Sequence, residues 1–594
     1  MIKHVLESGG TRRDARSYLN KFFKSGKKQG RPSKPLAKTY GQVNLGSLYA
    51  SGEASLRDQK SKDRLFEPDH VHQAERLRLL HTAVVKIGAP QLVDDDAVNS
   101  IGRTISQLST LGMRSIVVVD PDVPLNLRSS PFNARINDQI GRIINALQLV
   151  EGEDASDKPR AQRIDNAFEL KAGDVTGGNF TSAGEESHIH VSNAELIWSP
   201  LRRGIVPVIV PVGVTSQPAV KVVCINANDV IVEMVRNVHG LTLQPRRNYR
   251  SGRNVSRKKS DQRTIISIDR IIILDPRGGI PSAERAHAPH VYINLKQEYD
   301  EIEAQLQDFP LGALDDDVKA VHTANLQLLK RSLDLLPDSS SGLIVTPEAV
   351  TRSRKQPEEE SGPQVRTRSK RNPLIHNLLT DKPAISSSLP YGRSSGLGYG
   401  GPTSTFVKRG MPLTTIPDVF KETWSSPKLL KAGKCLSDHD VDMPKLIQLI
   451  EASFNKKLEV GRFLARVNHR FAGLVVAGDY EGCALFTWES SPSAPGLRIP
   501  YLDKFAVLPQ SQGTGASVAD ILFSCMIMDC FPNGVCWRSR AENPVNKWYF
   551  ERANGAWKIP GSRWTSFWTT DSPKREELLA YEAICRDIPP TWPS

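Results

Sequence analysis

No apolar run in this chain approaches the ~20 residues that a helix needs to cross a bilayer, which excludes a helical membrane span. Cysteine is scarce: seven residues, at 224, 435, 483, 525, 530, 536 and 585, an odd number with no C-x-x-C pair. That pattern argues for reduced thiols and against a zinc site or a disulfide framework; Cys530 and Cys536 read as buried thiols rather than a redox pair. Aromatic residues make up only 7% of the chain, and the basic stretches hold few of them, so the stacking platforms of a nucleic-acid binder are missing. No internal repeat is present, which excludes a solenoid or propeller.

A net charge of +13 nevertheless asks for a location. Three segments carry it: residues 1–31 with nine Lys/Arg against two acids, 243–264 with eight against one, and 351–393 with nine against four. Each is rich in Gly, Ser, Pro or Asn, so the charge belongs to solvated tails and loops, and the rest of the chain is net acidic. Glu7 and Asp14 depart from the acid-free character of an organellar presequence, and no apolar secretory core follows them.

At 594 residues the chain exceeds what one hydrophobic core supports, so at least two folded domains are expected. The reading is a basic segment over 1–68, an α/β domain with a mostly parallel sheet over 69–345, a linker over 346–404, an α+β domain over 405–577 and a tail over 578–594. In the first domain HQAERLRLLHTAVVKIG predicts a helix running into a strand. Further strands are expected at 114–119, 204–213, 220–225 and 270–274, with helices over 95–111, 133–149 and 311–337. Continuous β-branched runs alternating with helices are the mark of a buried parallel sheet.

In the second domain MPKLIQLIEASF predicts an amphipathic helix, FAGLVVAGDYEGCALFTWE a strand, turn and strand, and LRIPYLDKFAVL a third strand. A glycine-bearing turn follows, Gln510-Ser511-Gln512-Gly513-Thr514-Gly515, opening onto a helix that begins near Ala516. Glycines let backbone N–H groups approach a phosphate, and the helix adds its positive dipole end, so strand, turn and helix together form an anion cradle. Beyond it, Trp537-Arg538-Ser539-Arg540 would turn both arginines to one sheet face, where their forks suit the two carboxylates of a dicarboxylic substrate or a pair of rim ion pairs. Asn543, Asn546, Lys547 and Tyr549 place polar groups on one short helix, as ligands or as caps and a buried hydroxyl.

Taken together, YLDKF, QSQGTG, WRSR, NPVNKWYF and the tryptophan-rich end AWKIPGSRWTSFWTT closely resemble the acetyltransferase domain of the N-acetylglutamate synthase family, fungal and vertebrate type. The N-terminal segments VVKIGAP, GIVPVIVPVG, INANDVIVEM and ILDPRGG resemble that family's amino-acid-kinase-like domain. Lys86-Ile87-Gly88 is followed by Ala89-Pro90 where a working kinase of this fold would carry Lys-x-Gly-Gly. The resemblance implies acetyl transfer from acetyl-CoA to L-glutamate, with no tightly bound cofactor, and an N-terminal domain that binds L-arginine as feedback inhibitor. It implies glutamate contacts from Tyr501, Lys504, Arg538, Arg540 and Asn543 and a proton from Tyr549 for the departing thiolate. Backbone N–H groups near Ala506 and Val507 would polarise the thioester, with CoA pyrophosphate on Gln510, Gln512, Gly513, Thr514, Gly515 and Ala516. It also implies homo-oligomers, association with acetylglutamate kinase and a mitochondrial matrix location; VLESGGTRRDARSYLNKF looks like the start of the mature region in fungal members. Two other readings stay open here: a non-catalytic arginine sensor, and an acetyltransferase of another amine.

Two further features read as scaffold. His188 and His190 lie two apart on an expected solvent-facing strand without a carboxylate or cysteine partner pattern, and Asp94–Asp96 and Asp315–Asp317 precede helical periodicity, where acids suit helix starts.

Overall fold

The computed structural model describes residues 78–121, 134–149, 160–170, 189–215, 221–243, 264–283, 288–309, 315–351, 372–383, 385–389, 404–419, 421, 424, 436, 439–491, 494–509, 511 and 518–592. The basic segment 1–68, His188, Cys435, Gln510 and the run Gln512–Ala516 lie outside them. The described residues form two compact units, one within Tyr49–Ala384 and Gly400–Arg409, the other within Ile385–Tyr399 and Gly410–Ser594.

The first unit is built from β1 (Arg78–Gly88), α1 (Asp95–Thr110), β2 (Arg114–Asp120), α2 (Ala134–Gln148), β3 (Ala161–Ile164), β4 (Phe168–Leu170), β5 (Ile189–Val191), α3 (Glu195–Arg203), β6 (Val206–Ile209), β7 (Val212–Thr215), β8 (Lys221–Cys224) and α4 (Ala227–Leu243). It continues through β9 (Thr264–Leu274), β10 (Tyr292–Asn294), α5 (Leu295–Gln307), α6 (Asp316–Leu335), β11 (Ser341–Val345), α7 (Pro347–Thr351), α8 (Pro373–Thr380) and β12 (Ser404–Lys408). Eight strands form one sheet in the order β10-β12-β11-β9-β1-β2-β6-β3, parallel throughout except between β11 and β12. Ile116, Val117, Val118 and Val119 of β2 are all fully buried, as a strand covered on both faces requires. Asp94 caps α1 by accepting from the Ala97 N–H at 2.6 Å, so the first acidic run starts a helix as expected. Asp315 also precedes a helix, but its side chain makes no cap bond.

Several boundaries differ from the sequence reading. Arg78–His81, expected at the end of a helix, already pairs with β9. The run 204–213 divides at Pro211, which has no N–H for a ladder: β6 stays in the large sheet while β7 enters a second one, β5-β4-β7-β8. The expected linker 346–404 holds α7 and α8, and β12 pairs with β10 and β11 of the first unit instead of opening the second domain. Asp381 explains the attachment: buried after α8, it takes Arg270 at 2.9 Å and Lys408 at 2.6 Å.

The second unit contains β13 (Leu413–Ile416), α9 (Met443–Phe454), α10 (Val460–Asn468), β14 (Phe471–Ala477), β15 (Gly482–Ser491), β16 (Ala494–Val507), α11 (Val518–Cys525), β17 (Cys536–Arg540), α12 (Asn546–Arg552), β18 (Gly555–Lys558), β19 (Trp564–Trp568) and α13 (Arg575–Asp587). Its seven-stranded sheet runs β13-β14-β15-β16-β17-β19-β18. Every neighbouring pair is antiparallel except β16 with β17. The expected tail is in part α13, whose Ala580, Tyr581, Ile584 and Cys585 pack on Ile499, Tyr501 and Cys536. Its apolar residues recur at helical spacing and belong to the core.

Candidate active site

Between the partners of Leu485 and Phe486, β16 carries one extra residue. Leu485 faces Lys504 and Phe486 faces Leu502, leaving Asp503 as the extra residue of a bulge, which bends and twists the strand at that point. On its other side β16 meets β17 at a single parallel pair, Tyr501 with Cys536. Beyond that pair Lys504–Val507 and Trp537–Arg540 diverge, and a wedge opens at the C-terminal ends of two parallel strands.

The backbone at the wedge follows from the ladder. Leu508 donates its N–H to the Glu481 carbonyl at 2.9 Å, so by alternation the Ala506 N–H also turns toward β15, opposite its partner Cys483. The Val507 N–H turns the other way, to the edge that β17 has left, and there the Ser453 hydroxyl of α9 accepts it at 3.1 Å. Of the two residues expected to polarise a carbonyl, Ala506 spends its N–H inside the sheet and Val507 presents its own at the open edge.

Beside the wedge lies a buried charge network. Lys504, 5% exposed, donates to Asp503 Oδ2 at 2.6 Å and to the Thr591 hydroxyl at 2.9 Å. Asp503 also pairs with Arg466, and Glu489 pairs with Arg470. Burial pushes the Asp503 carboxyl up, but Lys504 and Arg466 more than offset it and hold it below the usual carboxylate range. Arg538 lies over the Trp564 ring at 4.0 Å and donates to the carbonyls of Cys585 at 2.7 Å and Pro589 at 3.2 Å. A buried strand bulge that brings cations together beside an edge amide is suited to an acyl donor on one side and an anionic acceptor on the other.

A family model described as N-acetyltransferase of N-acetylglutamate synthase matches residues 431–584. Over the whole chain, the mitochondrial amino-acid acetyltransferase of Ajellomyces capsulatus is 39% identical, covering 99% of this chain and 94% of its own length. The chain belongs to the mitochondrial amino-acid acetyltransferase family. The counterparts from Botryotinia fuckeliana and Aspergillus oryzae are 37% and 38% identical, each over 99% of this chain and over 88% and 89% of their own lengths. Among solved structures, the crystal structure of N-acetylglutamate synthase from Neisseria gonorrhoeae complexed with coenzyme A and L-arginine is similar at a TM-score of 0.37 and 12% identity, over 82% of this chain and 95% of that one.

The residues expected at the site of this acetyltransferase fall on two sides of the sheet. Lys504, Tyr501 and Arg538 gather by the C-terminal end of α13; Tyr501 is 3% exposed, and burial holds its hydroxyl well above the ordinary range. Tyr549 packs instead with Trp537 at 5.4 Å and Phe567 at 5.5 Å, in the core that α11 also fills. Burial raises its hydroxyl as well, so it stays protonated at neutral pH. Arg540 is exposed. Asn543 precedes α12 rather than lying on it; it donates to the Ser539 hydroxyl at 2.9 Å and accepts the Val545 N–H at 3.1 Å, the bonding of a turn. The residues expected to cradle phosphate, Gln510 just before Ser511 and Gln512–Ala516 after it, lie outside the described residues.

Ser453, Arg466, Asp503 and Thr591 were not marked by the sequence reading. Asp503 stood in the quoted YLDKF motif, but its place in a bulge depends on the partner strand. Elsewhere, His190 on β5 lies 3.6 Å from Glu169 on the neighbouring β4. In the first unit the Lys86 ammonium meets Asn228 at 2.7 Å, Asn325 at 3.0 Å and Asp120 at 3.1 Å, all three of its donors engaged. Ala89 holds φ at 43°, the left-handed region glycine favours, where a kinase would carry the second glycine of its motif.

Proposed function

We propose that this acetyltransferase moves the acetyl group of acetyl-CoA onto the α-amine of L-glutamate, giving N-acetyl-L-glutamate and CoA, the opening reaction of arginine biosynthesis. The observation that carries the reading is the wedge between β16 and β17, with the Val507 edge amide on one strand and Lys504 and Arg538 beside it. The deprotonated amine attacks the thioester carbon, the carbonyl oxygen takes the Val507 N–H as negative charge develops on it, the nitrogen gives up its surplus proton to water, and the C–S bond breaks to release CoA thiolate. Tyr549 is the reading for the group that protonates the sulfur, its hydroxyl kept protonated by burial. Lys504 and Arg538 would take the carboxylates, with Arg540, Asn543 and Tyr501 completing the pocket, and the pyrophosphate would rest on Gln510 and Gln512–Ala516 at the start of α11.

L-arginine as feedback inhibitor acting in the first unit, self-association and a complex with acetylglutamate kinase belong to the same proposal and are carried by the family resemblance. The test is CoA release by purified protein given acetyl-CoA and L-glutamate, with aspartate, glutamine and lysine as alternative acceptors and with L-arginine added. Glutamate-dependent, arginine-suppressed turnover is expected. Turnover on another amine would move the substrate assignment, and absence of turnover in folded protein would favour an arginine-sensing role.

A further inference from the structure

The chain leaves α13 through Ile588-Pro589-Pro590-Thr591-Trp592. The two prolines stop the helix and hold the segment extended, so it behaves as a short stiff arm with its hinge at Ile588. Both prolines are exposed, and the arm is fastened at three points. The Pro589 carbonyl accepts from Arg538 Nη2 at 3.2 Å, the Thr591 hydroxyl accepts from Lys504 at 2.9 Å, and the Trp592 ring lies 5.6 Å from that of Phe454 at the end of α9. Phe454 adjoins Ser453, the residue on the Val507 amide. One arm therefore touches both cations of the carboxylate site and the helix end that lies over the acetyl site.

We propose that Ile588–Trp592 is a strap closed over the glutamate site, which substrate displaces on binding; this rests on the assignment of Lys504 and Arg538 to the glutamate carboxylates. The acceptors the strap offers are neutral, a carbonyl and a hydroxyl, so its bonds carry charge on the donor alone, whereas glutamate carboxylates put opposite charges on both partners and add a Coulomb attraction. The Arg538 bonds divide accordingly. Nη1 on the Cys585 carbonyl, at 2.7 Å, secures the last turn of α13, while the longer bond from Nη2 to Pro589 is the one substrate replaces. Lys504 keeps Asp503 and exchanges only Thr591. The closed strap keeps two site cations hydrogen-bonded when substrate is absent, and it lowers apparent glutamate affinity by the work of opening it.

Calorimetric titration of glutamate into the full chain with CoA present tests this with Thr591→Val and Trp592→Ala, and Lys504→Met as control. Each strap variant is expected to tighten glutamate binding about threefold to tenfold, the worth of one or two modest contacts, with CoA affinity unchanged. Unchanged or weaker glutamate binding in both strap variants, while Lys504→Met weakens it, would overturn the strap and keep the site. If Lys504→Met leaves glutamate binding unchanged, the site assignment itself fails and the strap with it.

Discussion

The Val507 N–H donates to the Ser453 hydroxyl at 3.1 Å, across the edge that β17 leaves open after Tyr501. An edge amide needs a partner when no substrate is bound, and a hydroxyl is one that a thioester oxygen can replace. Ser453→Ala clears the amide and is expected to hold kcat/KM for acetyl-CoA within about twofold, whereas Ser453→Val covers it with methyls. Losing one such donor costs about 100-fold or more, so Ser453→Val should fall by that order. Equal loss in both variants would mean that the hydroxyl itself takes part in the reaction.

Arg538 answers to two roles that one substitution would confuse. Its guanidinium holds the Cys585 carbonyl and lies over Trp564, so Arg538→Ala should lower the melting temperature of the second unit as well as raise the glutamate KM. The KM rise is expected at about 10-fold to 100-fold, the range for a lost charge-assisted bond, with the acetyl-CoA KM unmoved. Arg538→Lys keeps the charge but not the fork and should recover part of the glutamate KM and little of the stability. An unchanged glutamate KM in Arg538→Ala removes Arg538 from the carboxylate site.

Tyr549 is placed to separate acid catalysis from positioning. Burial raises its pKa above the ordinary 10.0, so the hydroxyl keeps its proton through the neutral and mildly alkaline range. The kcat of the wild-type enzyme should therefore show no alkaline decline below about pH 9 from this group. Tyr549→Phe should lower kcat by about 100-fold with both KM values near wild type. A change confined to the glutamate KM would make it a positioning residue.

Local pattern made the scaffold legible and left the site's finer geometry out of reach. The helix over 95–111, the strand over 114–119 and the mostly parallel sheet could be read because their signals lie within a few turns of chain. β12 was assigned to the wrong domain because its partners, β10 and β11, are distant in sequence and nothing in STFVK names them. The same holds for the bulge at Asp503, which exists only relative to β15, and for α13, whose burial depends on the sheet face carrying Tyr501. Motif resemblance marked Lys504 and Arg538 as expected site residues. It carried no trace of the Asp503 and Thr591 contacts that hold Lys504 in place.

His322 provides a test of the first unit that is independent of catalysis. It sits on α6, 3% exposed, and burial lowers its pKa from 6.5 to about 4, with Asp275 opposing the shift and Arg277 adding to it. Because the folded value lies below the unfolded one, the unfolded chain takes up the proton first as pH falls. The stability due to neutral His322 is then complete above about pH 6.5 and is lost progressively down to about 4. A shift of that size corresponds to roughly 3 kcal/mol. Native-state hydrogen exchange of the α6 amides, corrected for intrinsic rates, should show the opening free energy falling between pH 7 and pH 5 in the wild-type chain. In His322→Gln, which has no proton to gain, the fall should be smaller by about 2 kcal/mol over that interval. An equal fall in both proteins would assign the acid sensitivity of this unit to groups other than His322.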